Sequence, residues 1–191
     1  LLSMADQIQA QSAFLTIENE KDLDAGRKKG LTGPFLERLT LTPKRITAMA
    51  EGLRQVAALP DPVGEILGMK RLPNGLQVGQ MRGPIGVIGI IYESRPNVTA
   101  DVAGLCIKSG NGVILWGGSV AIHSNTAIAA ILESAGTSAG LPPCAVNLIK
   151  TTDRQAIYEL LKMEEAIDLI IPRGGEGLIR TVIEHSKIPV M

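Results

Sequence analysis

Three short segments of this 191-residue chain have the composition of ligand-binding loops: Glu93-Ser94-Arg95-Pro96-Asn97, Trp116-Gly117-Gly118-Ser119 and Pro172-Arg173-Gly174-Gly175. Paired glycines let a backbone approach a ligand closely and offer unhindered N–H groups at the start of a helix. Arg95 and Arg173 add planar guanidinium groups, whose fork suits phosphate or carboxylate. Any one of these loops alone also reads as a tight strand-to-helix turn. Three at equivalent positions describe an anion-binding rim, with a phosphate-bearing ligand as its natural occupant.

Other residue types with chemical potential read as structural. Cys106 is in phase with Val98, Val102 and Leu105 on an apolar helix face, the place of a buried small hydrophobe rather than a nucleophile. Cys144 follows Pro142-Pro143 where a strand begins, at the wrong end of a sheet for chemistry. His123 and His185 each lie in a helix with no partner at ligand spacing, as surface or capping histidines do. The stretch Gly83-Pro84-Ile85-Gly86-Val87-Ile88-Gly89 spells a glycine fingerprint, but the apolar strand continues through it instead of ending there. Those glycines read as room for a helix or ligand packed over the sheet. No nucleophile, base or metal cluster emerges from spacing alone.

The elements that must hold the loops follow from periodicity. Residues 1 to about 58 read as helical, with Glu18-Asn19-Glu20-Lys21-Asp22 as a solvated face and Thr42-Pro43 opening a helix on Ile46, Met49 and Leu53. Pro73-Asn74-Gly75 between two short extended runs, 68–72 and 76–81, predicts a hairpin that needs another surface to pack on. From Pro84 onward, apolar strands at 85–92, 113–116, 145–149 and 166–171 alternate with helices at 98–109, after 119 to about 135, after Asp153 to 162 and 176–186. A fifth strand starts at Ile188. Strands apolar throughout are buried on both faces, so the fold class is a doubly wound, mainly parallel α/β sheet, Rossmann-like, with N-terminal helices and a projecting hairpin.

Composition narrows the partners. Nineteen Lys and Arg balance nineteen Asp and Glu, which leaves no basic field for nucleic acid. Trp116, Tyr92, Tyr158, Phe14 and Phe35 are the only aromatics, poor provision for base stacking. Two cysteines suit a reducing compartment, and no apolar run approaches the ~18 residues that span a bilayer. The expectation is a cytoplasmic chain without nucleic-acid or membrane partners. Because it opens on Leu1-Leu2 and closes on apolar Ile188-Pro189-Val190-Met191, more chain is expected to follow.

The run Pro84 to Thr99, with Ile90-Ile91-Tyr92-Glu93-Ser94-Arg95-Pro96-Asn97 at its centre, resembles the γ-glutamyl phosphate reductase (glutamate-5-semialdehyde dehydrogenase) family of the aldehyde dehydrogenase superfamily. So do Arg38-Leu39-Thr40-Leu41-Thr42, Asp61-Pro62-Val63-Gly64, Lys108-Ser109-Gly110-Asn111 and Ile167-Asp168-Leu169-Ile170-Ile171-Pro172-Arg173-Gly174-Gly175. The resemblance implies helices over 1–60, an oligomerisation hairpin over 61–84, an NADP-binding core over 85–191 and a catalytic domain beyond 191. It implies NADPH-dependent reduction of L-glutamyl 5-phosphate to L-glutamate 5-semialdehyde in proline biosynthesis, through a thioester on a cysteine in a Cys-Asn-Ala motif. Neither Cys106 nor Cys144 matches that motif, so binding without turnover is expected, and no residue here is assigned as catalytic or metal-ligating.

Ser94, Arg95, Asn97, Trp116, Gly117, Gly118, Ser119, Arg173, Gly174 and Gly175 become the expected cofactor contacts. A homo-oligomer and a glutamate kinase are the expected protein partners. The alternatives are a non-catalytic nucleotide-binding or subunit-pairing module, and a piece of a bifunctional Δ1-pyrroline-5-carboxylate synthase. One departure stands out: relatives carry Arg or Lys where this chain has Trp116, which puts preference for the 2′-phosphate in question. The indole stacks on adenine or simply packs.

Overall fold

In the computed structural model, which describes residues 1–93 and 95–191, four helices come first: α1 (Leu2–Ala10), α2 (Ser12–Lys28), α3 (Pro34–Leu39) and α4 (Pro43–Ala58). α4 starts as its sequence dictates. Pro43 fills the first position, where a missing N–H costs nothing, and the Thr42 hydroxyl accepts from the Arg45 amide at 3.2 Å. Its buried face is Ile46, Met49, Ala50 and Leu53. The expected solvated face of α2 is a correction: Asn19 and Asp22 are 2% and 1% exposed. Both are buried because each meets polar groups from far along the chain. Asn19 bonds the Leu39 carbonyl, the Leu41 amide and Ser124, while Asp22 accepts from the amides of His123 and Ser124.

A hairpin follows, β1 (Ile66–Arg71) antiparallel to β2 (Gln77–Met81). The Leu72 carbonyl accepts from the Gly75 amide at 2.9 Å, and the Leu72 amide donates to the Leu76 carbonyl at 2.8 Å. Gly75 takes φ +88° and Asn74 stays at negative φ, so the loop has three residues and ends on a left-handed glycine. Every residue of both strands is exposed, including Ile66, Leu67, Met69, Val78 and Met81.

The remainder is a four-stranded parallel sheet: β3 (Val87–Tyr92), β4 (Gly112–Gly117), β5 (Val146–Leu148) and β6 (Leu169–Arg173), in the order β5-β4-β3-β6. Its helices are α5 (Asn97–Lys108), α6 (Ile122–Ser138, entered through a 3-10 turn at Ser119–Ala121), α7 (Gln155–Leu160) and α8 (Glu176–His185). Alternate residues of β3 point to opposite faces. Ile88, Ile90 and Tyr92 join a core with α1, α4, α5 and α6, whereas Ile91 joins Trp116, Ile157, Leu161, Ile170 and Val182 beneath α7 and α8. Helices on both faces of parallel strands make the sheet doubly wound, the class expected from its apolar strands.

Two boundaries differ from expectation. β6 begins at Leu169, because Ala166 and Ile167 are held in the turn after α7 by bonds to the Met163 carbonyl. It then runs through Pro172 and Arg173, which were expected in a loop and instead pair with Ile91 and Tyr92. Pro172 is tolerated because the outer neighbour of β6 contributes one parallel bridge only, Ile170 to Val190. That bridge is what the described residues show of the fifth strand. The glycine run is a second correction: the space at Gly86 and Gly89 goes to Asp168 and to β6, not to a helix or ligand. A Cβ on Gly86 would lie 2.1 Å from the Asp168 carboxylate, and one on Gly89 would lie 2.5 Å from Ile170.

Candidate functional site

Parallel order with a reversal of direction between β3 and its two neighbours leaves a crevice beyond the carboxyl ends of the strands. There a cleft of about 510 Å³ opens between the 116–120 segment and helices α7 and α8. Trp116, Gly118, Ser119 and Val120 form one wall; Thr152, Arg154, Ile157 and Tyr158 form the second; Glu93, Gly177, Leu178 and Thr181 close it. Arg154 is its one guanidinium, and Thr152, Tyr158 and Thr181 supply hydroxyls.

Trp116 both packs and faces the cleft. The residue is 6% exposed and belongs to the core under α7 and α8 while still lining the cleft. Its indole Nε1 is buried and, among the described residues, has no acceptor. Such a donor costs about 1–3 kcal/mol left unpaired.

The glycines beside it do structural work. A Cβ on Gly117 would fall 2.1 Å from Asn125 Nδ2 and 3.2 Å from the Tyr92 ring. Asn125 belongs to a buried chain in which the Tyr92 hydroxyl meets Thr99 Oγ1 at 2.7 Å and Thr99 donates to Asn125 Oδ1 at 3.1 Å. Burial pushes the Tyr92 phenol far above its ordinary range, so it stays protonated and uncharged. The Gly118 amide is committed to the Tyr92 carbonyl at 2.9 Å.

At α8 the expected free N–H is already taken. The Gly175 amide donates to Glu93 Oε2 at 3.0 Å, and a Cβ on Gly174 would lie 2.7 Å from the same carboxylate and from Leu178. The chain's own carboxylate thus occupies the positive end of this helix, which a ligand phosphate was expected to use. Glycine at 174 leaves room for Glu93 to cross there.

The remaining expected residues lie elsewhere. Arg95 and Asn97 line a second cleft of about 530 Å³, between α3, α4 and the start of α5, with Arg38, Arg45 and Asp101. Arg173 ends β6 and is exposed, and its charge acts on Asp101. Burial raises the Asp101 carboxyl above its usual range, opposed by a 2.9 Å hydrogen bond from Asn97 Nδ2 and by that charge. The expectation for Ser94 lies outside the described residues. The rim read as one site is therefore split, with Trp116, Gly118 and Ser119 in one cleft and Arg95 and Asn97 in the other.

Sequence reasoning missed Arg154. Thr152-Asp153 was read only as a helix cap, and Asp153 does accept from the Gln155 amide at 2.9 Å. Yet 150–154 is a fourth strand-to-helix loop on the same sheet edge, and the rule that found the other three applies to it equally. Neither cysteine lines either cleft. Cys106 is 5% exposed with its thiol pushed up to about 11 by burial, and Cys144 is exposed just ahead of β5. His185 contacts the Thr181 carbonyl at 2.9 Å and the Tyr158 ring edge-on. No helix among the described residues is long and apolar enough to cross a membrane.

No protein-family profile matches the chain. It is 60% identical over 191 residues to a γ-glutamyl phosphate reductase of Geobacter metallireducens, covering 100% of this chain and 46% of the relative. The crystal structure of γ-glutamyl phosphate reductase from Thermotoga maritima superposes with a TM-score of 0.96 at 38% identity, covering 99% of this chain and 46% of that one. An acetylating aldehyde dehydrogenase from Geobacillus thermoglucosidasius shares the fold, with a TM-score of 0.72 at 19% identity over 99% of this chain and 38% of its own. The chain spans about half the length of the curated relatives it matches.

Proposed function

We propose that this chain, homologous along its whole length to γ-glutamyl phosphate reductases, is the NADP-binding part of an enzyme that reduces L-glutamyl 5-phosphate to L-glutamate 5-semialdehyde and phosphate, a step of proline biosynthesis. The observation that carries the proposal is the cleft at the strand ends, lined by a single arginine and by the hydroxyls of Ser119, Thr152, Tyr158 and Thr181. A dinucleotide phosphate matches that donor set. Arg154 takes the 2′-phosphate in place of the cation missing at position 116, while Thr152, Ser119 and Thr181 offer hydroxyls to ribose and pyrophosphate oxygens. Bound there, the cofactor supplies hydride.

What the chain's own residues do is bind, orient and hold charge. Glu93 fixes the start of α8 through Gly175 and presents a carboxylate on the cleft wall. Tyr92, Thr99 and Asn125 hold the end of β3 against α5 and α6, so the two clefts keep their relative positions. The nucleophile that opens the acyl phosphate is expected outside these residues, since Cys106 is buried and protonated and Cys144 is remote from both clefts. The chain alone therefore binds without turnover. The exposed apolar hairpin is the proposed contact with a second copy, and the cytoplasm is the proposed compartment.

Trp116 is the only tryptophan of the sequence and lines the proposed site, so it is its own reporter. Titrating the chain with NADPH should quench Trp116 emission, with energy transfer to the reduced nicotinamide. Emission unchanged at saturating nucleotide would sink the proposal.

A further inference from the structure

The arginines of this chain differ in what they meet. Arg27, Arg54, Arg82 and Arg180 are each paired with carboxylates on the scaffold surface. Arg45 is held by the carbonyls of Glu37 and Thr40, and it forms the back of the second cleft. Arg38 and Arg95, which line the same cleft from α3 and from the β3–α5 loop, make no ion pair or side-chain hydrogen bond among the described residues. Arg71, Arg154 and Arg173 also lack an acceptor among the described residues, so what sets Arg38 and Arg95 apart is that the two line one cleft, where paired guanidinium groups suit an anion from outside. The cleft is not uniformly basic, however. Asp101 lies in its wall and receives one hydrogen bond, from Asn97 to Oδ2.

We infer that this second cleft recognises the α-amino-acid end of the substrate, with Arg38 and Arg95 on its carboxylate and Asp101 on its ammonium. The assignment rests on the reading of the reaction given above. A γ-glutamyl phosphate carries charge at both ends, a phosphate at one and a zwitterionic amino-acid group at the other. A phosphate has no positive charge for Asp101 to meet, and a carboxylate beside it would repel; an ammonium gives Asp101 a partner. Cations and an acid in one cleft therefore match the zwitterion. Arg95 and Glu93 leave the same strand end toward different clefts, so a single loop separates amino-acid recognition from nucleotide binding.

The test is a set of amide chemical-shift titrations of the ¹⁵N-labelled chain with L-glutamate, inorganic phosphate and NADP separately. L-glutamate should move the amides of Arg38 to Leu41 and of Asn97 to Asp101. Arg95→Gln and Asp101→Asn should each weaken that binding about tenfold, and each should leave NADP shifts at Gly118 to Val120 and Thr152 to Arg154 unchanged. Phosphate moving the cleft amides while L-glutamate does not would overturn the assignment, as would L-glutamate binding indifferent to Asp101→Asn. Loss of NADP shifts with L-glutamate binding intact would overturn the nucleotide reading and leave this one standing.

Discussion

Two helices of this chain begin on a carboxylate borrowed from elsewhere in the sequence, and the two carboxylates have opposite fates. Asp22, 1% exposed, accepts from the His123 amide at 3.0 Å, the Ser124 amide at 2.8 Å and the Ser124 hydroxyl at 2.6 Å, pinning α2 to the start of α6. Glu93, exposed, accepts among the described residues from the Gly175 amide alone, at 3.0 Å, and stands in the wall of a cleft. The attraction between a helix N-terminus and a negative charge is common to both. The difference is water. A buried, fully used carboxylate is scaffold, whereas an exposed one with spare acceptor capacity is able to answer to a ligand.

The comparison can be broken at Asp22 first. Asp22→Ala leaves three donors without an acceptor, two of them on a buried Ser124, and should cost about 3 kcal/mol in urea denaturation. Gly174→Ala comes next: the added Cβ meets Glu93 and Leu178 at 2.7 Å, but both are ends of flexible side chains that can shift, so the cost should be about 1 kcal/mol, the low end for overpacking. Glu93→Gln should cost well under about 1 kcal/mol, since the amide oxygen still accepts from Gly175 and the site is open to solvent. A loss at Glu93 equal to that at Asp22 would contradict the division between scaffold and site. Smallest of all is a difference in labelling. At pH 8 the exposed Cys144 should react with iodoacetamide in the folded chain, while Cys106, buried and with its thiol held near 11, should react only on unfolding.

The layered part of this fold was legible because it is written locally. Apolar runs such as Ile88 to Tyr92 and Val113 to Trp116 can only be buried strands, and Asn74-Gly75 marks its own turn. The face of α2 was not legible for the opposite reason. Asn19 and Asp22 look solvated beside Glu18 and Lys21, and it is polar groups far along the chain, at Leu39 and Leu41 for Asn19 and at His123 and Ser124 about a hundred residues later, that take them out of water. The candidate site was half legible. Loop composition found Trp116, Gly118 and Ser119 but could not see that Glu93 reaches Gly175, which removes a donor from the ligand's side. Nor could it see that Arg95 faces a different cleft, because which way a loop residue turns is settled by the helices packed around it. Arg154 went unread because Thr152-Asp153 reads by itself as a helix cap, although Arg95 marks a glycine-free loop of the same kind.

The account turns on Arg154 as the charge that replaces a cation at position 116. Calorimetric titration of the wild-type chain and of Arg154→Gln with NADP and with NAD tests it most directly. NADP affinity should fall about tenfold or more in the variant, the value of a charge-assisted phosphate contact of about 1.5–3 kcal/mol, with NAD affinity unchanged. An NADP-to-NAD ratio equal in the two proteins would contradict the assignment.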